Sequence, residues 1–495
     1  MLMLRAQTKS FNMWLAALFV CAVALLNAGS EAAFAVDRAQ DAPVGQPYEG
    51  KVANPPHGIA MHGQPELPAD FKHFGYVNPK APKGGRISYG FHGSFDSLNQ
   101  FIVRGTAPRG LLDGVLGANV YEGLMMRNRD EAFSMYGLIA DTIKTDEERT
   151  FLEVTIHPDA KFSDGEPLTV DDLLFTIDLF REKGRPPYSR WMQAIESVER
   201  IGERGVRMNL GDGKNRELPL LLGIIPILPK HAIDFDTFDQ SSLKPILGSG
   251  PYTISDVTAG TRVLLKRNPD YWAKDLPVRT GFDNFDEMVI DYYRNESSRF
   301  EAFRKGLFDT NPESNPARWS GDYDFPAVTS GDIVLDTYET ATPSGMQAMI
   351  FNTRQDKFAD KRIREAFTYL LDFEWVNQNL FSGAYQRTAS LFHNSELASF
   401  QRPIDEAEKT LLGDNVSKIL PSVLDGTYTP PVSDGSGGDR KSLRKAVQLF
   451  REAGYALKDG KMVDAKTGEQ FSFEFMSKAQ TEERLALALQ RNVGR

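Results

Sequence analysis

Residues 161–172 read Lys161-Phe162-Ser163-Asp164-Gly165-Glu166-Pro167-Leu168-Thr169-Val170-Asp171-Asp172. Asp164-Gly165 is a turn pair, because glycine reaches the positive φ that a tight turn needs. Thr169, followed three residues later by Asp172, has the form of a capping box, in which two side chains satisfy orphan backbone N–H groups. Val170, Leu173, Leu174 and Ile177 then recur at helical spacing and predict a helix with one apolar face. Upstream, Leu152, Val154 and Ile156 alternate with Phe151, Glu153 and Thr155, the pattern of a half-buried strand. The local unit is therefore strand, turn, capped helix.

The same alternation runs outward from it. Residues 346–351 are apolar at every position except Gln347, which predicts a strand buried on both faces. Ile363, Ala366, Phe367, Leu370 and Leu371 predict a helix after it. Leu443, Ala446, Val447 and Phe450 predict another, ended by Gly454. Phe471, Phe473 and Phe475 read as a last strand, followed by a helix through Leu485 and Leu489. Residues 218–228 carry Pro219 and Pro226 and read as buried core or a strand–loop segment, too short to span a membrane. No fixed-period repeat is present, so the class is α/β. With 495 residues, and single cores ceasing to grow beyond roughly 250–300, at least two domains are expected.

The start of the chain places it outside the cytoplasm. Arg5 and Lys9, an apolar run over 14–26 and the small-x-small pattern Ala33-Phe34-Ala35 predict a signal peptide over residues 1–35. An uncleaved anchor is the alternative, but the run is short of the about twenty apolar residues a span requires. Residues 36–56, rich in Pro, Gly and polar side chains, read as a tether. The sole cysteine, Cys21, lies in the leader, so the exported body has no disulfide and no thiolate ligand. An exported protein has no ATP or NAD(P)H to use. The 57 basic and 67 acidic side chains leave a net charge of −10, which argues against nucleic acid or an anionic membrane as partner. The last helix reaches Arg495 without a stop signal, the expectation being a fragment lacking its C-terminal portion; a frayed natural end is the alternative.

Catalytic constellations do not assemble. His57 and His62 flank Gly58 and Gly63, a loop composition rather than ligand spacing on a helix, and His73 is apart from both. Gly248-Ser249-Gly250-Pro251 lacks the G-x-S-x-G spacing of a nucleophile elbow, and Gly435-Ser436-Gly437-Gly438 lacks the Lys-Ser/Thr of a phosphate loop. Asp171-Asp172 and Asp146-Glu147-Glu148 read as solvated caps and turns. The expectation is a non-enzyme with no cofactor and no metal.

Several segments together resemble a known family. The stretch 161–172 is similar to the F-x-D-G-x-P-x-T-A-x-D signature of the family 5 extracellular solute-binding proteins of ABC importers. Gly248-Ser249-Gly250-Pro251-Tyr252, Arg267-Asn268-Pro269-Asp270-Tyr271-Trp272, and Phe351-Asn352 with Phe358-Ala359-Asp360-Lys361-Arg362-Ile363-Arg364-Glu365-Ala366 resemble further motifs of that family in the same order. His57-Gly58-Ile59-Ala60-Met61-His62-Gly63, residues 76–85 and Leu371-Asp372-Phe373-Glu374-Trp375-Val376-Asn377 resemble its YejA-like oligopeptide-binding subgroup.

The resemblance implies a two-lobed periplasmic-binding-protein-like fold (type II, cluster C) with an extra subdomain in lobe I. Mapped here, it implies lobe I over 57–117 and 211–295, the extra subdomain over 118–210, and an incomplete lobe II over 296–495. It implies a monomeric periplasmic receptor that captures oligopeptides, including peptide-linked antibiotics. The receptor would deliver them to an ABC permease with its cytoplasmic ATPase. The acidic residue that pairs with a peptide's amino group would lie beyond Arg495. Candidate ligand-binding residues are Arg104, Gly105 and Thr106 in one loop, Ser344, Gly345 and Met346 at the start of the expected 346–351 strand, and Arg387 and Ser390 after the helix that follows Asp372. Phe392 is a further candidate. A nickel chelate, haem, opine or oligosaccharide ligand is the alternative within the fold, and an exported peptide hydrolase the alternative outside it.

Overall fold

The computed structural model describes residues 38–494 apart from 114–115, 132, 340–342, 396 and 478–479. The expected leader lies outside the described residues. The chain divides into two units, 1–311 and 312–495.

In the first unit the strand–turn–helix reading holds. Phe151–Ile156 is a strand, Gly165 has φ +95°, and Val170–Lys183 is a helix whose N-terminus carries the Thr169/Asp172 box. The Thr169 N–H donates to Asp172 Oδ2 at 2.9 Å. Asp172 is not the solvated cap expected of it. It is buried, because its other oxygen accepts the Lys230 N–H at 2.9 Å. The strand differs from expectation in the same way. Glu153 should face water but is buried, held by Lys144 and Arg207 at 3.0 and 2.6 Å. Three charges satisfied together tolerate a place that one carboxylate alone would not.

The strand lies in a five-stranded sheet ordered Val44–Gly45, Ser197–Ile201, Gly205–Asn209, Phe151–Ile156, Ala140–Lys144. Its first member corrects the tether reading. Val44–Gly45 pairs in parallel with Ser197–Ile201, and the Ala39 and Gln40 N–H groups donate to the buried Asp178 at 2.8 and 3.1 Å. Composition marked this segment as unstructured, but edge pairing uses backbone groups that every residue carries. The same contact buries a second side of the Val170–Lys183 helix, which therefore has more than one buried face. Leu218–Gly223 is a helix, so of the two readings of residues 218–228 the buried core holds and the strand does not.

A second sheet of the unit is ordered Tyr252–Thr258, Arg262–Arg267, Glu287–Tyr293, Arg86–His92. Its last two strands are parallel, with Glu287 opposite Arg86 and Tyr293 opposite His92. One core runs through both sheets, from Leu152 and Val154 to Val263, Leu265 and Ile290. The helix Glu296–Arg304 packs on the parallel pair, and buried Phe308 sits where a Cβ on Gly90 would be. That packing carries the first unit to Asn311, past the boundary expected at 295/296.

In the second unit the helices Lys361–Leu370 and Arg440–Glu452 pack together through Ile363, Ala366, Phe367, Ala446, Leu449 and Phe450. The expected strand over 346–351 does not form: these residues carry no regular structure, and Ile350 is 93% exposed. Among the described residues the one sheet here is the hairpin Tyr455–Lys458 with Lys461–Asp464, and residues 346–351 take no part in it. An apolar run becomes a strand only where a neighbour accepts its N–H groups. Residues 471–475 likewise form no strand. Phe471 and Phe473 instead pack against Phe358 and Phe367.

Candidate functional site

In open sheets with parallel strands, ligands bind beyond the carboxyl ends of those strands. In the first unit those ends are His92 and Tyr293, joined onward by the Gly93 N–H donating to the Tyr293 carbonyl at 2.9 Å. The loop that leaves there carries Arg104, Gly105 and Thr106, all three exposed.

Its geometry is closed by one residue. The Thr106 N–H donates to Asp96 Oδ1 at 2.6 Å, while the Thr106 carbonyl accepts the Asp96 and Ser97 N–H groups at 3.0 and 3.3 Å. Ser241 Oγ donates to the Asp96 carbonyl at 3.1 Å. Gly105 sits inside this bracket with φ +79°, where a Cβ would lie 2.9 Å from Asp96 Oδ1, Ser241 Oγ and Ser97 Cβ alike. Both the sign of φ and the space demand glycine. Farther along, Arg109 pairs with Asp113, lies 4.7 Å over the Phe91 ring and donates its N–H to Tyr292 Oη. Asp96 and Arg109 were not found by sequence reasoning. The available signal was Asp96-Ser97-Leu98-Asn99, whose Ser97 and Asn99 side chains each accept a backbone N–H two residues on.

In the second unit the Ser344 N–H donates to the His393 carbonyl at 2.7 Å, which joins the segment of Ser344, Gly345 and Met346 to that of Ser390 and Phe392. Gly345 and Met346 are exposed, and Ser390 Oγ is buried without a hydrogen-bond partner among the described residues. Arg387 differs from these. Its guanidinium donates to the Pro431 and Thr368 carbonyls at 2.6 and 3.3 Å and lies 5.9 Å over the Phe373 ring, so it fastens a loop. Burial lowers its pKa.

Within the first unit, contacts join the family-like motifs at 161–172, 248–252 and 267–272 to one another. Ser163 N–H and Oγ both donate to the Gly248 carbonyl at 2.9 Å, and His231 Nε2 lies 2.8 Å from Asp164 Oδ2. Glu122, fully buried, accepts from Tyr271 Oη and from Ser249 Oγ at 3.2 Å. Arg279 lies 5.5 Å over the Tyr271 ring and pairs with both oxygens of Asp283 at 2.7 Å. Burial pushes the Glu122 carboxyl up to about 7, against the pull of Arg279 and the two hydroxyls. These contacts join residues 122, 163, 248–249 and 271 into one polar core, which explains why those motifs mark the fold. A cavity of about 450 Å³ beside the helix Val170–Lys183 is lined by both signs of charge. Its one buried carboxylate, Asp178, is already bonded to Ala39 and Gln40.

The pattern of the bacterial extracellular solute-binding proteins, family 5 (middle region), matches residues 134–495. The "Peptidoglycan-binding protein YepA" of Agrobacterium fabrum is 49% identical over 89% of this chain and 73% of its own length. The "Probable peptide-binding protein YejA" of the same organism is 34% identical over 88% of this chain and 71% of its own length. Among solved structures, the oligopeptide-binding protein AppA of Bacillus subtilis, in complex with a nonapeptide, aligns with a TM-score of 0.56 and 21% identity. The alignment covers 84% of this chain and 73% of that one. The fold is thus the periplasmic-binding-protein fold that the motifs implied.

Proposed function

The chain belongs to the bacterial extracellular solute-binding proteins of family 5, and from that premise we propose that it captures oligopeptides in the periplasm for an ABC importer. The observation that carries the peptide reading is 34% identity, over most of both chains, to a protein named for peptide binding. The physical basis is main-chain recognition. A peptide laid against exposed backbone segments gains hydrogen bonds that do not depend on its sequence, and its side chains enter wet pockets. The chain would be exported through its leader, act as a monomer, and present the loaded form to a permease coupled to a cytoplasmic ATPase. Nothing in this role requires catalysis, and the peptide leaves intact.

A second reading concerns which peptides. The higher identity, 49%, is to a protein named for peptidoglycan binding, which favours the peptide portion of cell-wall fragments as cargo. Calorimetry with linear tetra- to octapeptides, a murein tetrapeptide, the peptide-free disaccharide and nickel–histidine separates the readings. Peptides should bind and be recovered uncleaved, and a preference for the murein tetrapeptide would support the second reading. Binding of the disaccharide or the nickel complex alone would overturn the peptide proposal, and peptide cleavage would revive a hydrolase.

A further inference from the structure

The arginines around the four-stranded sheet of the first unit mostly hold carboxylates. Arg86 pairs with Glu287, Arg109 with Asp113, Arg262 with Asp291 and Arg267 with Asp286. Arg104 and Arg294 have no ion-pair or hydrogen-bond partner among the described residues, and both follow the carboxyl ends of the parallel strands Arg86–His92 and Glu287–Tyr293. Arg294 directly precedes Asn295, which caps the helix Glu296–Arg304 by accepting the Ser298 N–H, while Arg104 stands on the loop that Asp96 closes at Thr106. The Asp96 bracket fixes Thr106, and Gly105 before it has φ +79° with no room for a side chain.

A cation on a mobile loop loses affinity to the entropy of ordering the loop. A cation on a loop already closed does not, and guanidinium matches a carboxylate through two parallel N–H···O bonds. We propose that Arg104 binds a carboxylate of the cargo and that Asp96 is its positioning residue, acting by closing the loop rather than by touching the ligand. The proposal rests on the peptide reading above and names the group of the peptide that the first unit recognises. Asp96 is suited to that task because its carboxylate is already occupied by the Thr106 N–H and no ion pair joins it to Arg104.

The test uses the full chain and three peptides of one sequence: free acid, C-terminal amide, and the acid with its glutamates changed to glutamine. Arg104→Gln should weaken the recognised acid about tenfold or more and leave the analogue lacking that carboxylate unchanged. Loss of discrimination against the amide assigns the C-terminal carboxylate, and loss against the glutamine peptide assigns a side chain. Asp96→Ala should reproduce the effect with faster exchange of the Thr106 amide hydrogen, and Asp96→Asn, whose carbonyl still accepts that N–H, should restore both. In an Arg104→Gln background, Asp96→Ala should have no further effect. An unchanged acid-to-amide and acid-to-glutamine ratio in Arg104→Gln overturns the proposal while the peptide reading stands. Equal weakening of all three peptides in Asp96→Ala overturns the positioning role. Failure of every peptide to bind the unaltered chain overturns the peptide reading, and this proposal with it.

Discussion

Glu122 is a fully buried carboxyl group with two hydroxyl donors and an arginine already paired to another acid. Burial dominates and raises its pKa from 4.5 to about 7. A carboxyl whose folded pKa exceeds its unfolded value adds stability in full below the unfolded value and loses it as pH rises through the folded one. Stability should therefore fall between pH 5 and 8 on account of this group, by up to about 3 kcal/mol at 1.4 kcal/mol per pKa unit. Urea melts across that range check this. Glu122→Gln, which keeps a neutral side chain of the same shape, should flatten the profile, and an unchanged slope would reject the assignment. The groups facing Glu122 are Tyr271, Ser249, Arg279 and Asp283, so Arg279→Met should raise the ionisation cost further.

Among the elements, the loop of residues 248–250 shows how a motif can be recognised without its purpose being visible. Its glycines looked wrong for a nucleophile elbow, and the structure supplies their role. A Cβ on Gly248 would lie 1.9 Å from the Val120 carbonyl oxygen, and one on Gly250 2.5 Å from that of Asn119. Both obstacles are backbone, so neither yields. Gly248→Ala should cost about 2–4 kcal/mol, read as a lower urea midpoint with unchanged slope. The N-terminal segment makes a second case. Asp178→Ala leaves the Ala39 and Gln40 N–H groups without their acceptor and should cost about 1–3 kcal/mol, with rapid proteolysis ahead of residue 50. Resistance to proteolysis there in Asp178→Ala would mean that strand pairing alone holds the segment.

On the scale of the molecule, the two units differ in how much they bury. The first carries a core continuous through two sheets and a satellite cluster around Phe74 and Tyr136. Among the described residues, the main core cluster of the second has nine buried hydrophobic residues, and Met346 and Ile350 are left exposed. Hydrogen exchange should accordingly show the second unit opening at lower denaturant than the first, as two separable transitions. One coincident transition would contradict this. Bound cargo should stabilise the folded chain by about 2.7 kcal/mol at a hundredfold excess over Kd, which a thermal shift would report.

The alternation of apolar residues, the Asp164-Gly165 turn and the Thr169 box determined the α/β class, the helices and the family, because propensity, capping and spacing act over a few residues and are written in order along the chain. Tertiary structure alone decided that Glu153 and Asp172 are buried, that residues 44–45 join a sheet, that residues 346–351 do not, and that Asp96 closes the loop bearing Arg104. Each of these depends on a partner distant in sequence: a strand edge, an opposing charge or an accepting carbonyl. Such a partner leaves no local mark at the position it governs.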